Sequence, residues 1–195
     1  MKKRFDAKFN RYVYEIFTGE WHATTEQNIV LRTLLGSCVS VCMRDRVSKV
    51  AGINHFMLPS TRQLEDIIYN EDARYGIHAM EIMINNMMKL GAHREGLEAK
   101  VFGGGKVVKG NLNNVAESNV EFVLAFLNME NIPIVASDLG GRGGRKIHFL
   151  PDSFTVYLKR IEISEQIKDT VAEEKKLLKK MKSSTEKESD LTLFE

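Results

Sequence analysis

Two β-like runs, CVSVCMR (38–44) and VAGINHFML (50–58), stand only five residues apart. A parallel return needs a dozen or more residues, so a connection this short makes the two strands antiparallel neighbours. With Arg44 facing Lys49 across a tight loop at Asp45–Ser48, Cys38 falls directly opposite His55. Ser40 then meets Ile53, and Cys42 meets Ala51, on the same face. Opposed Cβ atoms lie about 4.5–5.5 Å apart, within reach of a thiol and an imidazole. A slip of one residue would send the two side chains to opposite faces.

Such a pair has a chemical use. The thiolate is the nucleophile, and an ordinary cysteine is only a few per cent ionised at neutral pH. A neighbouring imidazole can take the proton and return it to a leaving amine. The bend Leu35-Gly36-Ser37 just before Cys38 offers backbone N–H groups to a developing oxyanion. Thr33, on the preceding strand, is the nearest polar group by sequence to hold the imidazole. Two other readings stand beside this one. A cysteine in a strand is commonly a small buried hydrophobe. Cys38, Cys42 and His55 are also three metal-ligand types, but Cys at i and i+4 on a strand lie about 13 Å apart, too far for one ion. No metal and no cofactor are expected.

Around the hairpin the pattern is mixed. Residues 28–35, 98–103, 132–138, 145–150 and 154–161 read as strands, and 72–90 and 116–130 as helices. In the first helix Ile77, Met80, Ile84 and Met87 recur at helical spacing, a core stripe rather than a partner groove. The glycine segments VFGGGKVV (101–108) and LGGRGGR (139–145) read as turns that let backbones approach closely. Neither is followed by the elements of a phosphate-binding loop or by further Gly/Arg repeats. His22, His78, His93 and His148 are scattered, and Trp21 reads as a packing residue. Strands outnumber helices and early connections are short, which favours an α+β layered fold over a doubly wound parallel sheet.

Composition excludes several classes. Lys and Arg number 28 against 26 Asp and Glu, so the charge of +2 gives no reason to expect nucleic acid or an anionic membrane. No apolar run is long enough to span a bilayer, and the N-terminus has no continuous apolar segment of a secretory signal. A cytoplasmic protein with free thiols is expected. Composition changes near residue 164: the remaining stretch has seven Lys, eight acidic residues and no Gly or Pro. Ile167, Val171, Leu178 and Met181 form a narrow helical stripe there, and the chain from Ser183 is polar. The expected organisation is one domain over 1–163 and a charged, partly helical tail over 164–195.

Several segments, taken together and in order, resemble the CheD-type chemoreceptor glutamine deamidases. They are TLLGSCVSVCMRD (33–45), AGINHFMLP (51–59), RYGIHAMEIMINNMMKLGA (74–92), LEAKVFGGGKV (97–107) and NVEFVLAFLNMENIPIVASDLGGRGGRKIHF (119–149). The resemblance covers roughly 12–160 and does not extend to the tail. It implies a three-layer α+β fold of two packed β-layers with flanking helices. It implies a site of Cys38, His55 and Thr33, and hydrolysis of receptor glutamine side chains through a thioester. It further implies two partners, the methyl-accepting chemotaxis receptors and a CheC-type phosphatase. A chemotaxis binding module, with turnover secondary to docking, is the alternative.

Overall fold

The computed structural model describes residues 1–58, 71–107 and 112–162, together with Ala172 and Lys176. Six strands come first: β1 (Lys2–Asp6), β2 (Arg11–Glu15), β3 (Trp21–Thr24), β4 (Ile29–Leu35), β5 (Val39–Asp45) and β6 (Ala51–Asn54). Helix α1 (Glu71–Lys89) and a turn of 3₁₀ helix at Arg94–Gly96 lead to β7 (Leu97–Gly103). Helix α2 (Leu112–Met129), β8 (Ile134–Leu139), β9 (Gly144–Leu150) and β10 (Thr155–Ile161) complete the fold.

The strands form two five-stranded mixed sheets. One has the order β1-β2-β4-β9-β10, the other β3-β6-β5-β7-β8. Parallel pairing occurs between β2 and β4 and between β7 and β8. The second parallel pair is joined through α2, the crossover such a pair requires.

Strand β5 shows why three layers result. Its residues alternate in direction, and both faces are apolar. Val39, Val41 and Met43 pack with Met80, Met83, Ile84 and Met87 of α1 and Phe122 and Leu127 of α2. Cys42, and Cys38 just before the strand, pack with Leu31, Leu35, Ile147 and Phe149 of the other sheet. The order is therefore helices, sheet, sheet, with one apolar core in each gap. This is the α+β arrangement expected from the sequence.

The helical stripe differs in one residue. Met80, Ile84 and Met87 are buried as expected, but Ile77 is 43% exposed. Gly76 takes the inward position, where an added Cβ would lie 2.6 Å from Phe122 and 2.8 Å from Leu58. Close approach of the helix at Gly76 rotates Ile77 outward by one helical step.

Strands β1, β2 and β3 escaped the sequence reading. In β1, KKRFD, four of five residues are exposed and the apolar alternation is missing, as in many charged edge strands. The stripe Ile167, Val171, Leu178 and Met181 lies outside the described residues; of the tail, Ala172 and Lys176 are described, and both are exposed.

Gly103 shows how closely the second sheet packs behind Cys38. Its φ is +123°, and a Cβ there would lie 2.1 Å from the Cys38 carbonyl oxygen. Neither backbone can yield without breaking the β5–β7 ladder. Gly103→Ala is expected to cost more than about 2 kcal/mol from backbone strain and overpacking. Thermal melting checks this: a drop of at least about 4–8 °C is expected for a domain of this size.

Candidate active site

Cys38 directly precedes β5 and His55 directly follows β6, the two strands of the predicted hairpin. The observed register differs from the expected one. Cys42 pairs with Ile53, Met43 with Gly52 and Arg44 with Ala51, and Val39 bridges Phe56. That is a shift of two residues, which places Cys38 across from Met57 and His55 across from Ser40. Cys38 and His55 are therefore diagonal neighbours, not directly opposed. Because the shift is even, both side chains still share the inter-sheet face.

The loop explains the shift. Asp45 N–H donates to the Val50 carbonyl (2.9 Å) and Lys49 N–H to the Asp45 carbonyl (3.1 Å), with Lys49 at φ +63°. The Asp45 carboxylate accepts from Val47 N–H (2.9 Å), Ser48 Oγ (2.7 Å) and His93 N–H (3.0 Å). These donors hold Asp45 in the ladder opposite Val50, so the loop spans four residues, Arg46 to Lys49.

Thr33 reaches the site from the other sheet. It stands between Leu31 and Leu35 on the inward face of β4 and is buried. Its Oγ1 lies 2.7 Å from His55 Nδ1 and also donates to the Ile16 carbonyl at 2.7 Å. A threonine hydroxyl has one proton. With that proton on Ile16, Nδ1 must carry its own hydrogen and donate it to Thr33. His55 Nε2 is then the basic nitrogen, the one on the side of Cys38. Burial pushes His55 down to about 4, against the raising influence of the Ile16 carbonyl and Glu20, so the imidazole is neutral at pH 7. A neutral imidazole with Nε2 unprotonated is a competent base.

The thiol side is equally defined. Cys38 and Cys42 are both buried thiols. Burial raises Cys42 far above its ordinary range, which keeps it protonated and inert. Thr18 Oγ1 is 3.2 Å from His55 Nε2 and 4.0 Å from Cys38 Sγ. A cleft of about 100 Å³ opens at His55, with Glu20, Trp21, Tyr75 and His78 in its wall.

The turn before Cys38 is held at three consecutive carbonyls. Gly105 N–H donates to Gly36 (2.8 Å), Asn119 Nδ2 to Ser37 (3.0 Å), and Gly104 N–H to Cys38 (2.8 Å). Asn119 also accepts from Leu58 N–H at 2.7 Å, so one amide joins the segment before Cys38 to the segment after His55. The second glycine loop braces the first, through Gly140 N–H to the Gly103 carbonyl and Lys106 N–H to the Gly141 carbonyl. Both glycine segments are thus the close-approach turns expected.

Sequence reasoning missed Thr18 and Asn119. Asn119 had a signal: it interrupts the apolar face formed by Val115, Phe122 and Val123, and a polar residue there needs partners. Thr18 had none, because a loop threonine is ordinary. His22 stacks on Tyr14, His93 lies beside Asp45 and His148 packs against Phe9. Among the described residues, no group of three or more His, Cys, Asp or Glu is placed to hold a metal ion. No helix among them is long and apolar enough to cross a membrane.

Comparison with known proteins decides the relationship. The family model described as CheD chemotactic sensory transduction matches residues 57–160. The "Probable chemoreceptor glutamine deamidase CheD 1" of Shewanella oneidensis is 46% identical over 159 residues, 81% of this chain and 77% of that protein. The chain belongs to the CheD family. The CheD proteins of Herminiimonas arsenicoxydans (46% over 159 residues) and Janthinobacterium sp. (48% over 158 residues) carry the same descriptive name. They cover 81% and 80% of this chain, and the alignments span 78% and 77% of those proteins. The CheD family match begins at Met57, two residues after His55, and so does not include Cys38, His55 or Thr33.

Proposed function

We propose that this protein hydrolyses glutamine side chains of chemoreceptors to glutamate, with Cys38 as nucleophile, His55 as general acid–base and Thr33 as the residue that orients His55. The observation that carries the reading is the hydrogen-bond relay Ile16–Thr33–His55, which leaves Nε2 as a base on the thiol side of the ring. The relatives' names give the substrate class.

The chemistry balances with no further reagent than water. Nε2 accepts the Cys38 proton as Sγ attacks the carboxamide carbon. The tetrahedral intermediate collapses when Nε2–H protonates the departing nitrogen, releasing ammonia and leaving a thioester. Water then adds with His55 as base, and the thiol leaves with the returned proton. Thr33 accepts from Nδ1–H throughout, so the ring gains and loses its proton only at Nε2. A glutamyl methyl ester would give the same acyl-enzyme.

The proposal includes the cytoplasm as location and, on the family relationship, a CheC-type phosphatase as second partner. Incubation with a purified receptor cytoplasmic fragment tests it. Ammonia release and conversion of specific receptor glutamines to glutamate, read by mass spectrometry, are expected. Receptor binding without conversion would leave a docking module.

We also propose a domain boundary at residue 163. The last described strand ends at Ile161, and the alignments to the relatives named above cover about four-fifths of the chain. Truncation after Ile163 is expected to leave receptor turnover unchanged and to lower the melting temperature by less than about 5 °C, or under about 2 kcal/mol. Turnover and melting of the two chains, compared side by side, check both.

A further inference from the structure

The loop between Ile16 and Trp21 is built around His55. Gly19 N–H donates to the His55 carbonyl at 2.7 Å, and His55 N–H donates to the Glu20 carbonyl at 2.9 Å. Within the loop, Glu20 N–H donates to the Phe17 carbonyl (2.9 Å), and Phe17 N–H to the Glu20 carboxylate (3.0 Å). These four bonds fix the position of the residue between them, Thr18. Its hydroxyl is within reach of both reacting atoms, 3.2 Å from Nε2 and 4.0 Å from Sγ.

We propose that Thr18 is a further catalytic residue, whose hydroxyl bridges Cys38 and His55 and stabilises the thiolate–imidazolium state. The inference rests on the assignment of Cys38 and His55 made above. A hydroxyl has one donor hydrogen and two acceptor lone pairs. In the resting state Nε2 is unprotonated, so Thr18 O–H donates to it. When the thiol proton moves to Nε2, the roles reverse. Nε2–H then donates to Thr18 Oγ1, and the Thr18 hydrogen turns toward the thiolate. The S–H bond breaks, an N–H bond forms, and Thr18 keeps its own proton. Both hydrogen bonds now involve a charged group and are stronger than the single neutral one they replace. The ion pair gains more than the neutral pair, which raises the thiolate fraction. A valine would fill the same space and supply neither bond.

The test measures the thiolate without needing a receptor. Iodoacetamide alkylation of Cys38 is followed against pH in the full chain, with the modified peptide located by mass mapping. Thr18→Val is expected to move the alkylation midpoint up by about one pH unit, a roughly tenfold lower rate on the acid side. Turnover of the receptor fragment should fall in kcat more than it rises in KM. Thr18→Ser, which restores the hydroxyl, should recover both. Thr18→Ala removes the hydroxyl without adding an apolar branch and should shift the midpoint as valine does. An unchanged midpoint in Thr18→Val and Thr18→Ala would overturn the proposal. If Cys38→Ala abolishes deamidation while both hydroxyl-free variants match the wild type, this inference alone fails. If the midpoint depends on Thr18 but the wild type never converts receptor glutamine, the functional assignment alone fails.

Discussion

Replacing Cys38 by alanine should remove deamidation altogether, a loss on the order of 10⁶-fold, as for removal of the nucleophile in a serine hydrolase. Cys42→Ala should retain most activity. The contrast comes from placement. Both thiols face the inter-sheet layer and both are buried. Only Cys38 has the His55–Thr18 pair within reach, and its turn is pinned at the carbonyls of Gly36, Ser37 and Cys38. Burial holds Cys42 in its protonated form. Mass spectrometry of receptor glutamines measures both variants. Conversion by Cys38→Ala at the wild-type rate would end the covalent mechanism.

His55→Ala should lower turnover by about 10²–10⁴-fold, the usual contribution of a general acid–base. Thr33→Val should cost less, because Thr33 orients the ring and exchanges no proton with it. The pH dependence follows from burial of the ring. His55 is held at about 4 when folded, against about 6.5 for a free imidazole. The base therefore stays neutral into mildly acid solution, and the acid limb of kcat/KM should fall below pH 6.5. Stability has the same sign. Between those two values the unfolded chain binds the proton that the folded chain excludes, so stability declines as pH falls from 6.5 toward 4 and is fully present above 6.5. Melting curves of wild type and His55→Gln across this range check it. The glutamine variant should lose that part of the pH dependence, and equal slopes would contradict a buried neutral imidazole.

The legible part of the site was the part governed by parity. Cys38 and His55 belong to one hairpin, and their common face depends only on whether the register sum is odd or even. An even shift of two residues left it intact, so the pair was found although the register was wrong. The actual register was set by donors to Asp45, one of them His93 N–H from 48 residues away. A turn stabilised by a distant residue does not announce itself in its own sequence.

The sequence by itself determined the alternation of β5, the hairpin, the methionine-rich inner face of α1 and the glycine turns, and so the α+β class. These are properties of short windows: strand and helix periods, and residues that need or tolerate a backbone conformation. Family membership was likewise legible, because the segments that carry it stand in order along the chain. Only the tertiary structure decided how separate elements meet around Cys38 and His55, and of the residues they bring there the sequence had named Thr33 alone. Thr33 arrives from the opposite sheet, Thr18 from a loop 37 residues before His55, and Asn119 from α2, 82 residues beyond Ser37. Only the tertiary structure, too, gave β1 its place, since a charged edge strand acquires its ladder from β2 and not from its own pattern. The physical reason is common to all of these. A periodic pattern reports which face of an element is buried, whereas a site is assembled by the packing of separate elements, whose contacts no single window contains.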